Sequence, residues 1–289
     1  MNYGIIANPK KNEELLKILP DLISWLEKNG NNVIVETDLL EIGSDALKGI
    51  KNAARESIPE KCDIILALGG DGTILSTARV VGNTGVLIAG INLGGLGFLA
   101  DVAVEEIYDR LQTIQDGEYL VEERMVLKAT TDATPGKEYR ALNDIVTERG
   151  FYTRMRNISV TVDGEFFNNY SADGIIVATP TGSTAYSLSA GGPIIVPPLQ
   201  TMLITPISPH SLLQRSVVLK YDSKIQITFE DSPDDMILSI DGQESIKIRS
   251  DQSISITRAE QNIKLIKWKD KTFFDTLRTK LNWGVESRS

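Results

Sequence analysis

A single cysteine and a single histidine occur in the 289 residues, and each scarcity closes off a class of chemistry. Cys62 has no partner for an internal disulfide, so a reducing, cytoplasmic setting is expected. Without a second His or Cys at metal-ligand spacing, no structural metal site is expected. The same shortage leaves no Ser–His–Asp or Cys–His set for hydrolytic catalysis. Positive charge is also short: 30 Lys and Arg stand against 39 Asp and Glu, for a net charge of −9. No basic stripe interrupts that balance, and the arginines at 149, 154 and 156 read as a solvated strand face. Nucleic acid and membrane surfaces are therefore not expected as partners. No apolar run approaches the roughly 18 residues of a membrane span. The opening Tyr3-Gly-Ile-Ile-Ala7 reads as a strand, without the cationic and apolar regions of a signal peptide. Internal repeats and low-complexity stretches are missing too.

What is present is an ordinary core-forming composition, 42% hydrophobic and 24% charged, at a length that fits two domains. Strand and helix signals alternate over residues 1–103. Strands are predicted at Tyr3–Ala7, Val33–Glu36, 63–68 and Val86–Ile91. Leu15, Leu19, Leu22 and Leu26 follow helical spacing up to Gly30, with Pro20 predicting a kink or two short helices. Residues 44–56 and 104–115 read as helical, and a further helix begins near Thr73. Such alternation predicts an α/β domain with a parallel sheet. From about 119 to 268, within an expected second domain of residues 104–269, the texture is period-two: Ile158, Val160 and Val162, then Ile225, Ile227 and Phe229, then Ile254 and Ile256. Asp163-Gly164 and Asp241-Gly242 are hairpin signals, and Asp234-Asp235 a solvated turn. This predicts a β-rich, sandwich-like domain. The apolar tail 270–289, with Phe273, Phe274, Leu277, Leu281 and Trp283, is expected to pack back on the first domain.

Three glycine-rich clusters carry the chemistry. In the first, an apolar strand runs into Gly69-Gly70-Asp71-Gly72-Thr73 and then into a helix. Glycines there let backbone N–H groups approach a ligand, and the helix N-terminus favours anions. A phosphate loop usually carries lysine; here the residue is Asp71, whose natural task is to accept a hydrogen bond, and in time a proton, from a hydroxyl receiving a phosphoryl group. The simpler alternative is that Asp71 or Thr73 caps the helix. The second cluster is Asn92-Leu-Gly94-Gly95-Leu-Gly97-Phe98, also after a strand. Gly95-x-Gly97-x-x-Ala100 matches a dinucleotide fingerprint, but the acid due about 20 residues later is missing. Two glycine loops after successive parallel strands share one rim of the sheet. The third cluster, Asp173 to Pro193, opens from a buried strand into Thr179, Thr181, Ser183, Thr184 and Ser187 around Gly182 and Tyr186. Its hydroxyls and N–H groups suit a ribose or phosphate and its tyrosine a base, unless it is an ordinary Ser/Thr turn with a cap. Asn143-Asp144 is an unusual polar pair within a strand, as fit for exposure as for a ligand. His210, in Ser208-Pro-His-Ser211, reads by itself as an incidental loop residue.

Together these motifs resemble the NAD kinase family, which has GGDGT, NxGxxGFL, an Asn-Glu pair and TPTGSTAYSLSAGGP in this order. The resemblance runs from the first strand beyond residue 245. It implies ATP-dependent phosphorylation of the adenosine-ribose 2′-hydroxyl of NAD, giving NADP, with Mg²⁺ arriving on ATP. It also implies a homotetramer or homodimer, with polyphosphate as another possible donor. By position, Asp71 matches the family's catalytic base, beside Gly72. Asn143 and Asp144 match the dinucleotide-contacting pair, with Asp144 where Glu is the rule. Arg154 and Ser171 fall at variable NAD-contacting positions. Asp173, Thr184, Ala185, Tyr186, Ser187, Leu188 and Ser189 match the adenosine-holding set, and His210 and Gln243 match further site positions. The amides of Gly69, Gly70, Gly72, Thr73, Gly94, Gly95 and Gly97 are expected to hold the triphosphate. Two other functions share parts of this pattern: a lipid or sugar kinase with the GGDGT loop, and a nucleotide-sensing module without catalysis.

Overall fold

The computed structural model describes residues 1–42, 47–150, 156–211, 213–230 and 236–283. They form two compact units: Met1–Glu123 with Ile263 onward, and Arg124–Asn262.

In the first unit, β1 (Asn2–Ala7), β2 (Asn32–Glu36), β3 (Asn52–Ala53), β4 (Ile64–Gly69), β5 (Leu87–Asn92), β6 (Val102–Ala103) and β7 (Leu120–Arg124) build one sheet together with the returning strand Ile263–Lys267. Its order is β3-β2-β1-β4-β5, then Ile263–Lys267, then β7, with β6 also on β5. The pairings from β3 to β5 and on to Ile263–Lys267 are parallel. Order reverses between β1 and β4, so the crevice past Ala7 and Gly69 is where a sheet of this kind takes ligands. Helices α1 (Asn12–Lys28), α2 (Asp71–Val81) and α3 (Ile107–Gln115) connect the strands.

Helix α1 is continuous through Pro20 rather than split in two. Leu15, Leu19, Leu22 and Leu26 are all buried on one face. At about 1.5–3 kcal/mol per buried leucine, their packing outweighs the roughly 3 kcal/mol of an interior proline. The carbonyl that Pro20 cannot bond is that of Leu16, on the exposed side. Of the helix expected at 44–56, residues 47–56 are described and hold turns, β3 and the start of a 3₁₀ turn. Arg154 and Asp234-Asp235 lie outside the described residues.

The second unit continues with β8 (Leu127–Thr131), β9 (Tyr139–Ala141), β10 (Asp144–Arg149), β11 (Arg156–Val162), β12 (Glu165–Ala172), β13 (Gly174–Ala178), the short helix α4 (Tyr186–Ser189), β14 (Thr201–Ile207), β15 (Val217–Lys220), β16 (Ile225–Glu230), β17 (Met236–Ile240), β18 (Glu244–Ile248) and β19 (Ile254–Arg258). These strands make two six-stranded sheets, β15-β14-β13-β10-β17-β18 and β12-β11-β16-β19-β8-β9. Period-two burial explains the architecture: Ile158, Val160, Ile225, Ile227, Ile254 and Ile256 join Ile145, Ile175 and Leu238 in one core. Strand β13 is apolar throughout because its other face is covered too, with Ile176 and Ala178 packing against Leu203, Ala190 and Ile195.

The units divide elsewhere than at residues 103 and 269. Residues 104–123 and 263–269 belong to the first unit, although the boundaries expected from sequence place them with the second. Strand pairing across more than 140 residues causes this, since Ile263–Lys267 lies between β5 and β7. The tail follows into the first unit, where Trp268 and Leu277 are buried and Phe273 packs 6.1 Å from Phe98.

Candidate functional site

The candidate residues form two clusters, one in each unit. In the first, β4 ends at Gly69, Gly70 takes the helix N-cap position, and Asp71 is the first residue of α2. The Asp71 carboxylate crosses to the second glycine loop. Its Oδ2 accepts the Phe98 N–H at 2.9 Å, and its Oδ1 accepts those of Leu99 and Ala100, each at 3.0 Å. Capping is therefore not what this side chain does. Gly97 makes the approach possible: a Cβ there would lie 2.0 Å from Asp71 Oδ1. The Gly97 N–H turns inward to the Ala100 carbonyl, and that of Gly94 goes to Asn92 Oδ1. No helix follows this loop, so the dinucleotide-fingerprint spacing here serves a clamp around Asp71. Thr73 is buried, its hydroxyl accepting from the Gly70 N–H at 3.4 Å. Gly69 and Asn92 are paired neighbours on β4 and β5, so both loops leave the same rim.

A carboxylate offers about four acceptor sites. Oδ1 already takes two N–H groups and Oδ2 one, which leaves one site on Oδ2 for a hydroxyl. Asp71 is half-buried and Gly72 beside it is exposed, so that site can be reached.

In the second unit, a cavity of about 460 Å³ is lined by Asn143, Asp144, Glu148, Ala185, Tyr186 and Asp241, among others. Asp144 is 4% exposed, and burial, reinforced by the Asp241 carboxylate, pushes its pKa up to about 7. Asp241 sits in the turn between β17 and β18 with φ at +50°. Its carboxylate accepts the N–H groups of Leu142 (2.9 Å), Asn143 (2.8 Å) and Asp144 (3.1 Å). Behind Asn143, Thr179 donates to the Leu142 carbonyl at 2.6 Å, and its own N–H goes to the Asn143 carbonyl at 2.8 Å. Gly182 lies so close that a Cβ would fall 2.1 Å from the Asn143 oxygen. Burial, with the carboxylates of Glu148, Asp144 and Asp173 around it, holds the Tyr186 phenol above its ordinary value.

The chain matches the model of the ATP-NAD kinase N-terminal domain over residues 3–119 and that of the C-terminal domain over 142–268. It is 41% identical to a NAD kinase of Geotalea daltonii over 270 residues, covering 92% of this chain and 93% of the relative. A NAD kinase of Caldanaerobacter subterraneus is 41% identical over 281 residues, 96% of this chain and 98% of the relative. The chain belongs to the NAD kinase family. Among solved structures, yeast NADH kinase complexed with NADH superposes with a TM-score of 0.85 at 29% identity, covering all of this chain and 89% of that one. An Archaeoglobus fulgidus NAD kinase in complex with ATP gives 0.77 at 25% identity, covering 98% and 99%.

Set within the NAD kinase pattern, the candidate residues are unequally placed. Asn143, Asp144, Ala185 and Tyr186 meet at the cavity. Asp173 is ion-paired with Arg149 at 3.1 Å. The backbone of His210 donates to the Ser171 carbonyl at 3.0 Å, joining those two positions, and the His210 side chain is exposed. Gln243 closes the Asp241-Gly242 turn through its N–H to Ile240. Thr184 donates to the Thr181 carbonyl, Leu188 is half-buried and Ser189 is exposed. Ser187 instead faces inward to Thr205 at 2.9 Å, both fully buried. Ser183 likewise bonds within its own turn, and Thr181 accepts from Arg124. Most hydroxyls of this motif thus shape the turn. Asp144 opens β10, which keeps constant register with β13 and β17 along its length.

Sequence reasoning missed Glu148, Ser239, Asp241 and Ser245 at the cavity. Glu148 was within reach, since residues 144, 146 and 148 share a strand face. Asp241 hid behind a turn signal that accounted for it locally.

Proposed function

We infer that this chain transfers the γ-phosphoryl group of ATP to the 2′-hydroxyl of the adenosine ribose of NAD, producing NADP. The observation that carries the reading is Asp71, held by three loop amides with one acceptor site left on Oδ2. In a loose phosphoryl-transfer transition state the nucleophile needs alignment more than early deprotonation. Asp71 fixes the 2′-hydroxyl through that remaining site and takes its proton late. The exposed backbone of Gly72 and Gly95 and the N-terminus of α2 face the phosphates. Mg²⁺ enters as part of the Mg-ATP substrate and neutralises charge on the phosphate oxygens. The acidic cavity of the second unit supplies acceptors for ribose hydroxyls and the adenine amine, with Tyr186 as a stacking face. ATP is the donor, with polyphosphate as a second one to test. The protein acts in the cytoplasm as a homodimer or homotetramer, which sedimentation velocity reads directly.

The test is incubation of the purified chain with NAD and Mg-ATP, with NADP detected by an NADP-specific dehydrogenase. NADP formation that stops on chelation of Mg²⁺ is expected. No NADP from NAD or NADH, with either donor, would falsify the reading.

A further inference from the structure

The loop that grips Asp71 is itself gripped from behind. Lys267, at the end of the returning strand, donates to the Leu99 carbonyl at 3.2 Å and to Asp101 Oδ2 at 2.8 Å. Both side chains of that ion pair are largely buried, at 11% and 9% exposure. Lys271 donates to the Asp101 carbonyl at 2.7 Å and pairs with Glu106. Arg110 then links Glu106 to Asp270, at 3.1 and 2.7 Å, and lies 5.0 Å over the buried Trp268 ring.

The Leu99 carbonyl and the Ala100 N–H belong to one peptide unit. Lys267 binds its oxygen end, and its N–H end binds Asp71 Oδ1 at 3.0 Å. An ammonium on a carbonyl polarises the amide and strengthens the hydrogen bond that its N–H donates, and buried surroundings preserve the effect. The cation and the carboxylate thus act on each other through a single peptide.

We propose that Lys267 is a positioning residue for phosphoryl transfer, acting through the Leu99–Ala100 peptide to fix Asp71 against the acceptor hydroxyl. Lys271 steadies the Asp101 carbonyl of the same loop. The C-terminal segment therefore takes part in aligning the acceptor besides closing the core. This rests on the kinase reading of Asp71, so its test includes a measurement independent of turnover.

Lys267→Met leaves Asp101 buried without its partner, a change that can unfold a protein. The main variant is therefore Asp101→Asn with Lys267→Met, which removes both charges. Lys267→Arg serves as the conservative rescue, and Lys269→Met, at an exposed lysine of the same segment, as the control. Turnover and both KM values come from the NADP assay. The Ala100 amide is followed by its proton shift and exchange rate in ¹⁵N-alanine-labelled protein.

The double variant is expected to lose kcat by about 10- to 100-fold, with KM for NAD and ATP within about twofold. Its Ala100 amide should move upfield and exchange faster, while Lys267→Arg recovers most of the turnover and Lys269→Met changes neither readout. A folded double variant with wild-type kcat overturns the proposal, as does lost kcat with an unmoved Ala100 amide. If the unmodified chain makes no NADP, the functional reading fails, and the amide still reports whether Lys267 holds the loop.

Discussion

Two aspartates do matching work in the two units. Asp71 gathers the N–H groups of Phe98, Leu99 and Ala100, and Asp241 those of Leu142, Asn143 and Asp144. Each carboxylate fixes a loop whose own sequence has little reason to hold one shape. For Asp71 this requires Gly97, so Gly97→Ala, with its Cβ 2.0 Å from Oδ1, must displace the carboxylate. Turnover should fall about 100-fold, the size of effect a 1 Å misplacement produces, while circular dichroism stays that of the unmodified protein. Retained kcat in a folded Gly97→Ala protein contradicts the clamp. Asp144 sets a pH dependence. Its folded pKa is raised to about 7 by burial and Asp241, against about 3.9 in an unfolded chain. The folded state thus binds the proton more tightly, and this contribution to stability is complete below pH 4 and lost as pH rises through about 7. Thermal melts should show Asp144→Asn gaining stability over the unmodified protein at pH 8 and little or none at pH 4. Equal Tm differences at both values contradict the assignment.

At the scale of elements, much was legible because burial writes itself into periodicity. Strands β4 and β5 and the β10–β19 framework carry their apolar pattern locally, as does the leucine face of α1. Strand β7, Leu-Val-Glu-Glu-Arg, carries none: it is mostly exposed and earns its place by pairing with a segment near the other end of the chain. Over its described residues, 47–56, the expected helix fails for a related reason, since part of that stretch adds β3 to the sheet edge. In the third motif, residue type misled. Ser183 and Ser187 look like ligand groups, yet Ser183 donates to the Pro180 carbonyl of its own turn and Ser187 pairs with the buried Thr205. The element that most needs outside support is the turn before β10, which depends on Asp241. Asp241→Ala leaves three backbone N–H groups without their acceptor, at a cost of about 1.5–3 kcal/mol for a charged hydrogen bond. Urea denaturation should show that loss, and KM for NAD should rise at least tenfold with kcat little changed. An unaltered KM would separate Asp241 from dinucleotide binding.

At the scale of the molecule, the chain leaves the first unit after Glu123 and returns at Ile263. The second unit holds its whole core between those points, so residues 124–262 expressed alone should fold cooperatively, as followed by far-ultraviolet circular dichroism. Ending the chain at 262 instead removes the strand between β5 and β7 together with Ile266, Trp268 and Leu277 from the core. Phosphoryl transfer by this chain depends most on the acid at the head of α2. Its most direct test compares the unmodified chain and Asp71→Asn in the NADP assay. Asp71→Asn is expected to lower kcat by about 10²–10⁴-fold with NAD affinity held within a few-fold. Unchanged turnover in Asp71→Asn, or lost NAD binding with turnover intact, contradicts it.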